Sequence, residues 1–127
     1  MFEANGASFR LFDFPAFGLT DRVLLDYYLS CRNIVFVADE DPHTVEIAKA
    51  YLKIARGNKL GVLINMVIGR PKLKYLIEYR RFGKIYLIPF DEELRIYRAE
   101  GLDPIKVRSP GVVKMVKAAV DIAKKIK

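Results

Sequence analysis

Residues 33–65 read NIVFVADEDPHTVEIAKAYLKIARGNKLGVLIN, and the order of apolar runs and turn residues in this segment indicates the fold class. The apolar run at 34–38 is typical of a strand that is buried on both faces of a parallel sheet. Asp41 precedes a proline, which predicts a helix N-cap followed by the first helical position, and Gly57 predicts the end of that helix. A second apolar run at 60–65 predicts a second strand. A strand, a helix and a strand in this order predict a right-handed parallel crossover.

The same alternation continues on both sides of this unit. The other predicted elements are a strand at 8–13, a helix capped by Thr20, a helix at about 71–81, a strand at 84–88 and helices at 91–100 and 111–127. The apolar residues expected to face the core are Val23, Leu24, Tyr27 and Tyr28 in the first helix, Leu73, Leu76 and Ile77 in the third, and Val112, Val116, Ala119, Val120 and Ala123 in the last. We therefore expect a single α/β domain over residues 1–127, with a mainly parallel sheet of about four strands and helices on both faces.

Composition limits the class of protein. The 127 residues carry a formal net charge of +7, which would attract nucleic acid, anionic lipid or an acidic protein, although a solvated lysine surface explains it equally simply. The single cysteine, Cys31, excludes an internal disulfide framework. No apolar run reaches membrane-spanning length and the N-terminus does not resemble a signal peptide, so we expect a cytoplasmic protein that is not integral to a membrane. Many Lys, Arg, Ile and Val residues without Gln or Trp favour a thermophilic source.

Three short motifs follow three of the apolar runs. They are Asp13-Phe14-Pro15, Asn65 and Pro89-Phe90-Asp91. In open parallel α/β sheets the ligand lies outside the carboxyl ends of the strands, which is where these motifs are expected. Read without any further pattern, Asp13 would cap a loop, Asn65 would end a strand in a turn and Pro89 would begin a helix.

The ordered set of motifs resembles the C-terminal half of the MinD/ParA family of P-loop ATPases. In that family one strand ends in Asp-x-Pro-x-Gly, a later strand ends in Asn and another ends in Pro-Tyr/Phe-Asp. Residues 39–44, DEDPHT, and 99–101, AEG, are similar to two further turns of the family. The resemblance runs from Phe9 to the end of the chain.

The resemblance implies a site for ATP or ADP with Mg²⁺. Asp13 would hold magnesium, a hard cation that prefers oxygen ligands and keeps several waters. Asn65, Pro89, Phe90 and Asp91 would form the adenine side. The Asn65 amide offers a donor and an acceptor together, and the Pro89-Phe90 segment can cover the ring by apolar contact.

The phosphate side departs from the family. No Gly-x-x-x-x-Gly-Lys-Ser/Thr stands in the 127 residues, and in the family the P-loop, its lysines and the first switch belong to the N-terminal half. Because phosphoryl transfer depends on positioning the phosphates, we expect no hydrolysis by this chain unless another chain supplies that half. Met66 also follows Asn65 where the family has a basic residue. We therefore expect a degenerate or truncated relative with a regulatory or partner-binding role.

Other interpretations concern binding rather than catalysis. Without the P-loop strand, sheet edges and apolar surface would be exposed, which predicts a homo-oligomer or a partner protein. The alternative is a non-catalytic protein- or DNA-interaction module, in which a basic stretch contacts DNA non-specifically or simply forms a solvated helix surface. That stretch contains Arg70, Lys72, Lys74, Arg80, Arg81 and Lys84. Asp39-Glu40-Asp41 is similar to the acidic pocket of receiver domains, although no phosphoacceptor aspartate follows, and His43 is expected on the surface.

Overall fold

The computed structural model of the protein describes residues 2–4, 7–15, 18–103, 106 and 108–126. Its elements are β1 (Phe2–Ala4), β2 (Ala7–Phe9), α1 (Arg22–Ser30), β3 (Asn33–Ala38), α2 (Pro42–Ile54), β4 (Asn58–Val67), α3 (Leu73–Arg80), β5 (Ile85–Pro89), α4 (Glu92–Ala99) and α5 (Pro110–Lys125). β3, β4 and β5 form a parallel sheet in that order, and β1 and β2 pair antiparallel in a separate hairpin. The fold class is α/β with a parallel sheet, as predicted.

The strand, helix and parallel strand predicted from residues 33–65 are present, but the predicted burial of β3 on both faces is wrong, because Val35 and Val37 are 38% and 62% exposed. α2 begins at Pro42, and the Asp41 carboxylate caps it by accepting from the amides of His43 at 2.7 Å and Thr44 at 3.4 Å. These bonds satisfy two of the amides that the first helical turn leaves without partners. β4 is longer than predicted and continues to Val67.

The predicted strand at 8–13 is wrong in extent and in pairing. β2 ends at Phe9 and pairs with β1, so the parallel sheet has three strands in the described residues, where the sequence predicted about four. Pairing β2 with β1 requires closure of only a short loop. Pairing β2 with a strand of the parallel sheet would require a long crossover connection, whose closure costs more conformational entropy. Asn5-Gly6, a dipeptide typical of two-residue hairpin turns, is the sequence signal that would have identified this pairing.

α1 differs from its prediction at the cap and along its apolar side. Asp21, not Thr20, is the N-cap, and its carboxylate accepts from the Leu24 amide at 3.2 Å. Tyr28 is buried as predicted, and its hydroxyl donates to the Tyr51 carbonyl at 2.8 Å. Burial raises the pKa of Tyr28 to about 12.

Two expected core residues of α1, Val23 and Tyr27, are instead 66% and 57% exposed. α1 makes its buried contact through Tyr28, whose ring meets the Tyr51 ring of α2 edge-on at 5.9 Å. A helix that rests on its neighbour along one side leaves the remaining apolar positions in solvent.

The first face of the sheet is covered by α2 and α3. The core cluster there consists of Ala38, Val45, Ala48, Leu52, Val62, Ile64, Val67, Tyr75 and Tyr79. In α3 the buried residues are the two tyrosines, so the prediction that Leu73 and Ile77 face inward is wrong: they are 69% and 54% exposed. Leu76 is half-buried and packs against the cluster, as predicted. Tyr79 can be fully buried because its hydroxyl donates to the Asp39 carbonyl at 3.2 Å.

The second face is covered by α5, which contacts β5 and β4. α5 packs through Gly111, Val112 and Ala118. Its positions Val116, Ala119 and Val120 are exposed, so their predicted burial is wrong, while Val112 is buried as predicted. Since helices lie on both faces, the predicted layering is confirmed.

A polar cluster fixes α5 to β5. The Tyr86 hydroxyl donates to the Asp121 carboxylate, which also pairs with Lys84 Nζ at 2.9 Å. Lys125 Nζ lies 2.9 Å from the Tyr86 hydroxyl. The Tyr86 ring lies over Gly61, where a Cβ would stand 2.5 Å from the ring, so only glycine admits the ring at this place in β4. The hydrogen bonds from Tyr86 and Lys84 lower the pKa of Asp121 to about 2.

Candidate functional site

A β-bulge lies at the carboxyl edge of the sheet, beside Asn65. Ile64 pairs with Leu87 and Val67 pairs with Pro89, so β4 has one residue more than β5 between these pairs. Met66 takes a left-handed conformation with φ of 54°, which accommodates the extra residue. Bulges of this kind change the direction of side chains and are frequent beside binding sites. The bulge could not be predicted from the sequence, because methionine is not a residue that favours positive φ.

Asn65 and Phe90 are brought to the same edge by this pairing. The Phe90 amide donates to the Val67 carbonyl at 2.9 Å, which continues the contact between β4 and β5 past the bulge. Asn65 is half-buried and Phe90 is 43% exposed. Within the part of the chain that the structure describes, no hydrogen bond engages the Asn65 side chain. A primary amide without a described hydrogen bond and an exposed aromatic ring therefore lie at the same edge of the sheet.

Asp91 joins two helix N-termini. One carboxylate oxygen accepts from the Leu94 amide at 3.0 Å and caps α4, while the other accepts from the Gly111 amide at 2.8 Å in the first turn of α5. The pKa of Asp91 is lowered, chiefly by the hydroxyl of Ser109 and further by these amides, against the opposing effect of burial. Ser109 is buried, and its hydroxyl does not reach full hydrogen-bond geometry with any described group. The Asp91 carboxylate is thus committed to the scaffold beneath Phe90.

Asp13 lies apart from the other predicted site residues. It is exposed in the segment between β2 and α1. The neighbouring Phe14 ring stands 6.1 Å from the ring of Tyr28, which in turn contacts Tyr51 in the last turns of α2. The Tyr51 ring also lies 6.5 Å from the ring of Phe36, which pairs with Val62 in the middle of the sheet, so these aromatic contacts involve neither Asn65 nor Phe90. The structure does not bring Asp13 together with Asn65 and Phe90.

The acidic triplet after β3 is used for local structure. Asp41 caps α2, and Asp39 accepts from the Asp41 amide at 3.1 Å. Glu40 accepts from the Lys72 amide at 2.6 Å, at the start of α3, where Lys72 itself provides no capping side chain. His43 is exposed, as expected. Among the described residues, no group of three or more His, Cys, Asp or Glu side chains is arranged so that it could hold a metal ion.

The basic stretch is exposed along and around α3. Lys74 Nζ lies 4.8 Å and Lys72 Nζ 5.7 Å from the centre of the Tyr75 ring, and Arg81 pairs with Glu78 at 3.9 Å. These contacts are on the surface, and surface ion pairs contribute about 0–1 kcal/mol. The side chains are therefore available to an anionic partner.

Two open grooves lie elsewhere on the molecule than Asn65 and Phe90. An open groove of about 630 Å³ between α3 and β5 is lined by Leu73, Leu76, Ile77 and Leu87 among others, and another of about 550 Å³ lies beside α4 near Tyr97. Neither is lined by Asn65 or Phe90.

Among the described residues no helix combines the length and the apolar character that crossing a membrane requires.

Comparison of the chain with protein-family models, with curated proteins and with solved structures finds no match. The function is therefore argued from the site.

Proposed function

We propose that this protein binds the adenine end of ATP or ADP at Asn65, Pro89 and Phe90, as a MinD/ParA-like relative that does not itself hydrolyse the nucleotide. The observation that supports the proposal most is that the unengaged Asn65 amide and the exposed Phe90 ring lie at the same edge of the sheet. An amide can donate to one ring nitrogen of adenine and accept from its exocyclic amine. Pro89 and Phe90 offer apolar surface to the base.

Asp91 has a supporting role in this proposal. Its carboxylate holds the N-termini of α4 and α5 and so fixes the backbone that presents Phe90. Asp13 as a magnesium ligand near the base needs a rearrangement of the segment before α1, because the neighbouring Phe14 ring packs against Tyr28 of α1. The proposal therefore predicts recognition of the base with little dependence on Mg²⁺.

Isothermal titration of the protein with adenosine, ADP and ATP, each with and without Mg²⁺, tests this proposal. We expect adenosine to bind about as well as ATP, with no effect of magnesium. Asn65→Ala should abolish the heat, and Phe90→Ala should weaken binding about tenfold, since stacking on an aromatic ring contributes about 1–3 kcal/mol. Asp13→Asn is the matched control and should leave binding unchanged. Binding that needs the phosphates, or that survives Asn65→Ala, would contradict the proposal.

A second candidate is non-specific DNA binding through the basic side chains around α3, which are exposed. This candidate predicts affinity for duplex DNA that falls steeply with salt and that is reduced by Lys74→Glu and Arg80→Glu. Fluorescence anisotropy at low and physiological salt measures both, and the adenosine titration distinguishes the two candidates.

A further inference from the structure

On the second face of the sheet, α5 covers β4 and β5, whereas β3 is exposed to solvent. In the sheet register Val37 of β3 lies beside Leu63 of β4, and Leu63 lies beside Tyr86 of β5. Tyr86 is under α5, where its hydroxyl donates to Asp121, whereas Val37 is 62% exposed. Val35 points to the same side of β3 and is 38% exposed. A parallel sheet normally buries both of its faces, whereas in the described residues no element covers β3 on this side.

The bare region has the width of one helix. Neighbouring strands lie about 4.8 Å apart and packed helices about 8–10 Å apart, so one helix covers about two strands. α5 contacts β5 and β4, which leaves β3 to a further helix beside α5. On the opposite face both outer strands have a helix, because α2 contacts β3 and α3 contacts β5.

α5 presents an apolar stripe on its outer side. Val113, Val116 and Val120 are 41%, 51% and 51% exposed, and their spacing of three and four residues places them on one side of the helix. This is the spacing with which one helix packs against another. Lys117 and Lys124 are exposed and border the stripe on its solvent side.

We propose that a helix of another polypeptide, with an apolar side and acidic residues along its flank, binds to this surface. The surface, which we call the valine face, consists of Val35, Val37, Val113, Val116 and Val120. The acidic flank would pair with Lys117 and Lys124. A second copy of this chain fits less well, because it would add a further charge of +7 and would bring like-charged lysines together. None of these five valines is among the residues proposed to bind adenine, so this inference does not depend on the proposed function.

Two labelled model peptides of about three heptads provide the probe. Both have leucine at the a and d positions; one has glutamate and the other has lysine at the flanking e and g positions. Fluorescence anisotropy with the whole chain should show that the glutamate peptide binds at least about tenfold more tightly than the lysine peptide, and that added salt weakens it.

Substitutions separate apolar docking from simple charge attraction. Val37→Lys and Val116→Lys each add positive charge, yet each should weaken binding of the glutamate peptide about tenfold or more, because each removes apolar surface that the bound helix would bury. Ile77→Lys is the matched control: it adds the same charge at a 54% exposed position of α3 on the other face, and should not weaken binding. The double variant K117E/K124E should prefer the lysine peptide.

Several results would overturn the inference. Absence of glutamate-peptide binding, or a loss with Ile77→Lys as large as with Val37→Lys, would show that the valine face is not the site. A dimer in light scattering that Val37→Lys dissociates would assign the face to a second copy. Binding to phosphatidylserine vesicles that Val116→Lys abolishes would assign it to a lipid surface. Circular dichroism verifies folding of each variant, and an unchanged adenosine titration for Val37→Lys shows that the two surfaces are independent.

Discussion

At residue 91 a single carboxylate serves two helices. Asp91 follows β5 directly, caps α4 and accepts from the first turn of α5. The close approach depends on Gly111, where a Cβ would stand 2.7 Å from the Asp91 Oδ2 atom. A residue that sequence motifs assign to a nucleotide site therefore also connects elements that are distant in the chain.

Asp91→Ala should lower the free energy of unfolding by about 1–3 kcal/mol, since losing a helix cap costs about 0.5–2 kcal/mol and the hydrogen bond to Gly111 is also lost. Urea denaturation followed by circular dichroism measures the change. Glu100→Ala, at the exposed other end of α4, is the control and should change stability by less than about 0.5 kcal/mol. Equal stability of Asp91→Ala and the unmodified protein would show that these hydrogen bonds do not stabilise the fold.

The sequence predicted some parts of the candidate site and missed others for identifiable reasons. Asn65 and Phe90 follow apolar runs, so their placement at one sheet edge was predictable from periodicity. The contact from Asp91 to Gly111 joins distant segments and leaves no local pattern in the sequence. Asp13 was placed at a strand end by motif alone, and the antiparallel pairing of β1 and β2 removes that strand from the sheet.

Among the elements, β4 best shows what local sequence does and does not predict. Its apolar residues predicted the strand, but the bulge at Met66 arises from the pairing with β5 and has no signature in the composition. α3 shows the same limit, because the burial of Tyr75 and Tyr79 in place of Leu73 depends on hydroxyl partners supplied by other segments.

The bulge in β4 makes a prediction about Met66. An L-residue in the left-handed region costs about 1–2 kcal/mol, and a β-branched side chain is the least tolerated there. Met66→Val should therefore lower the free energy of unfolding by about 1–2 kcal/mol, whereas Met66→Gly should be neutral or stabilise by up to about 1 kcal/mol. Ile68→Val, at a 77% exposed position, is the control for loss of side-chain volume. Urea denaturation in which Met66→Val matches that control would contradict the positive φ at this position.

At the scale of the whole molecule, the two faces of the sheet are held differently. The first face is an apolar core, whereas α5 is held to the second partly by the ionised Asp121, which binds Tyr86 and Lys84. An apolar core has no groups that titrate in acid. The attachment of α5 through Asp121 should therefore make the free energy of unfolding depend on pH, whereas the packing of the first face should not.

Asp121→Asn should destabilise the protein at pH 7, and the difference should disappear in acid. The pKa of Asp121 is about 2 in the fold and about 3.9 in an unfolded chain, so the ionised group stabilises the protein fully above pH 4. That contribution is lost as the pH falls from about 4 to about 2. Urea midpoints of both proteins between pH 7 and pH 2.5 should converge over this range. Asp26→Asn, at an exposed position of α1, is the control; a gap that stays constant with pH would exclude the proposed role of the Asp121 charge.

β3 also has consequences through its backbone. It is the end strand of the parallel sheet in the described residues, so one row of its amides and carbonyls has no neighbouring strand there. Its sequence, NIVFVA, contains none of the lysines or prolines with which natural proteins block association at such edges. Uncharged hexapeptides rich in β-branched residues are the type that stacks into cross-β fibrils. The strand that offers a surface to a partner helix is therefore also where amyloid would nucleate in preparations of the chain alone.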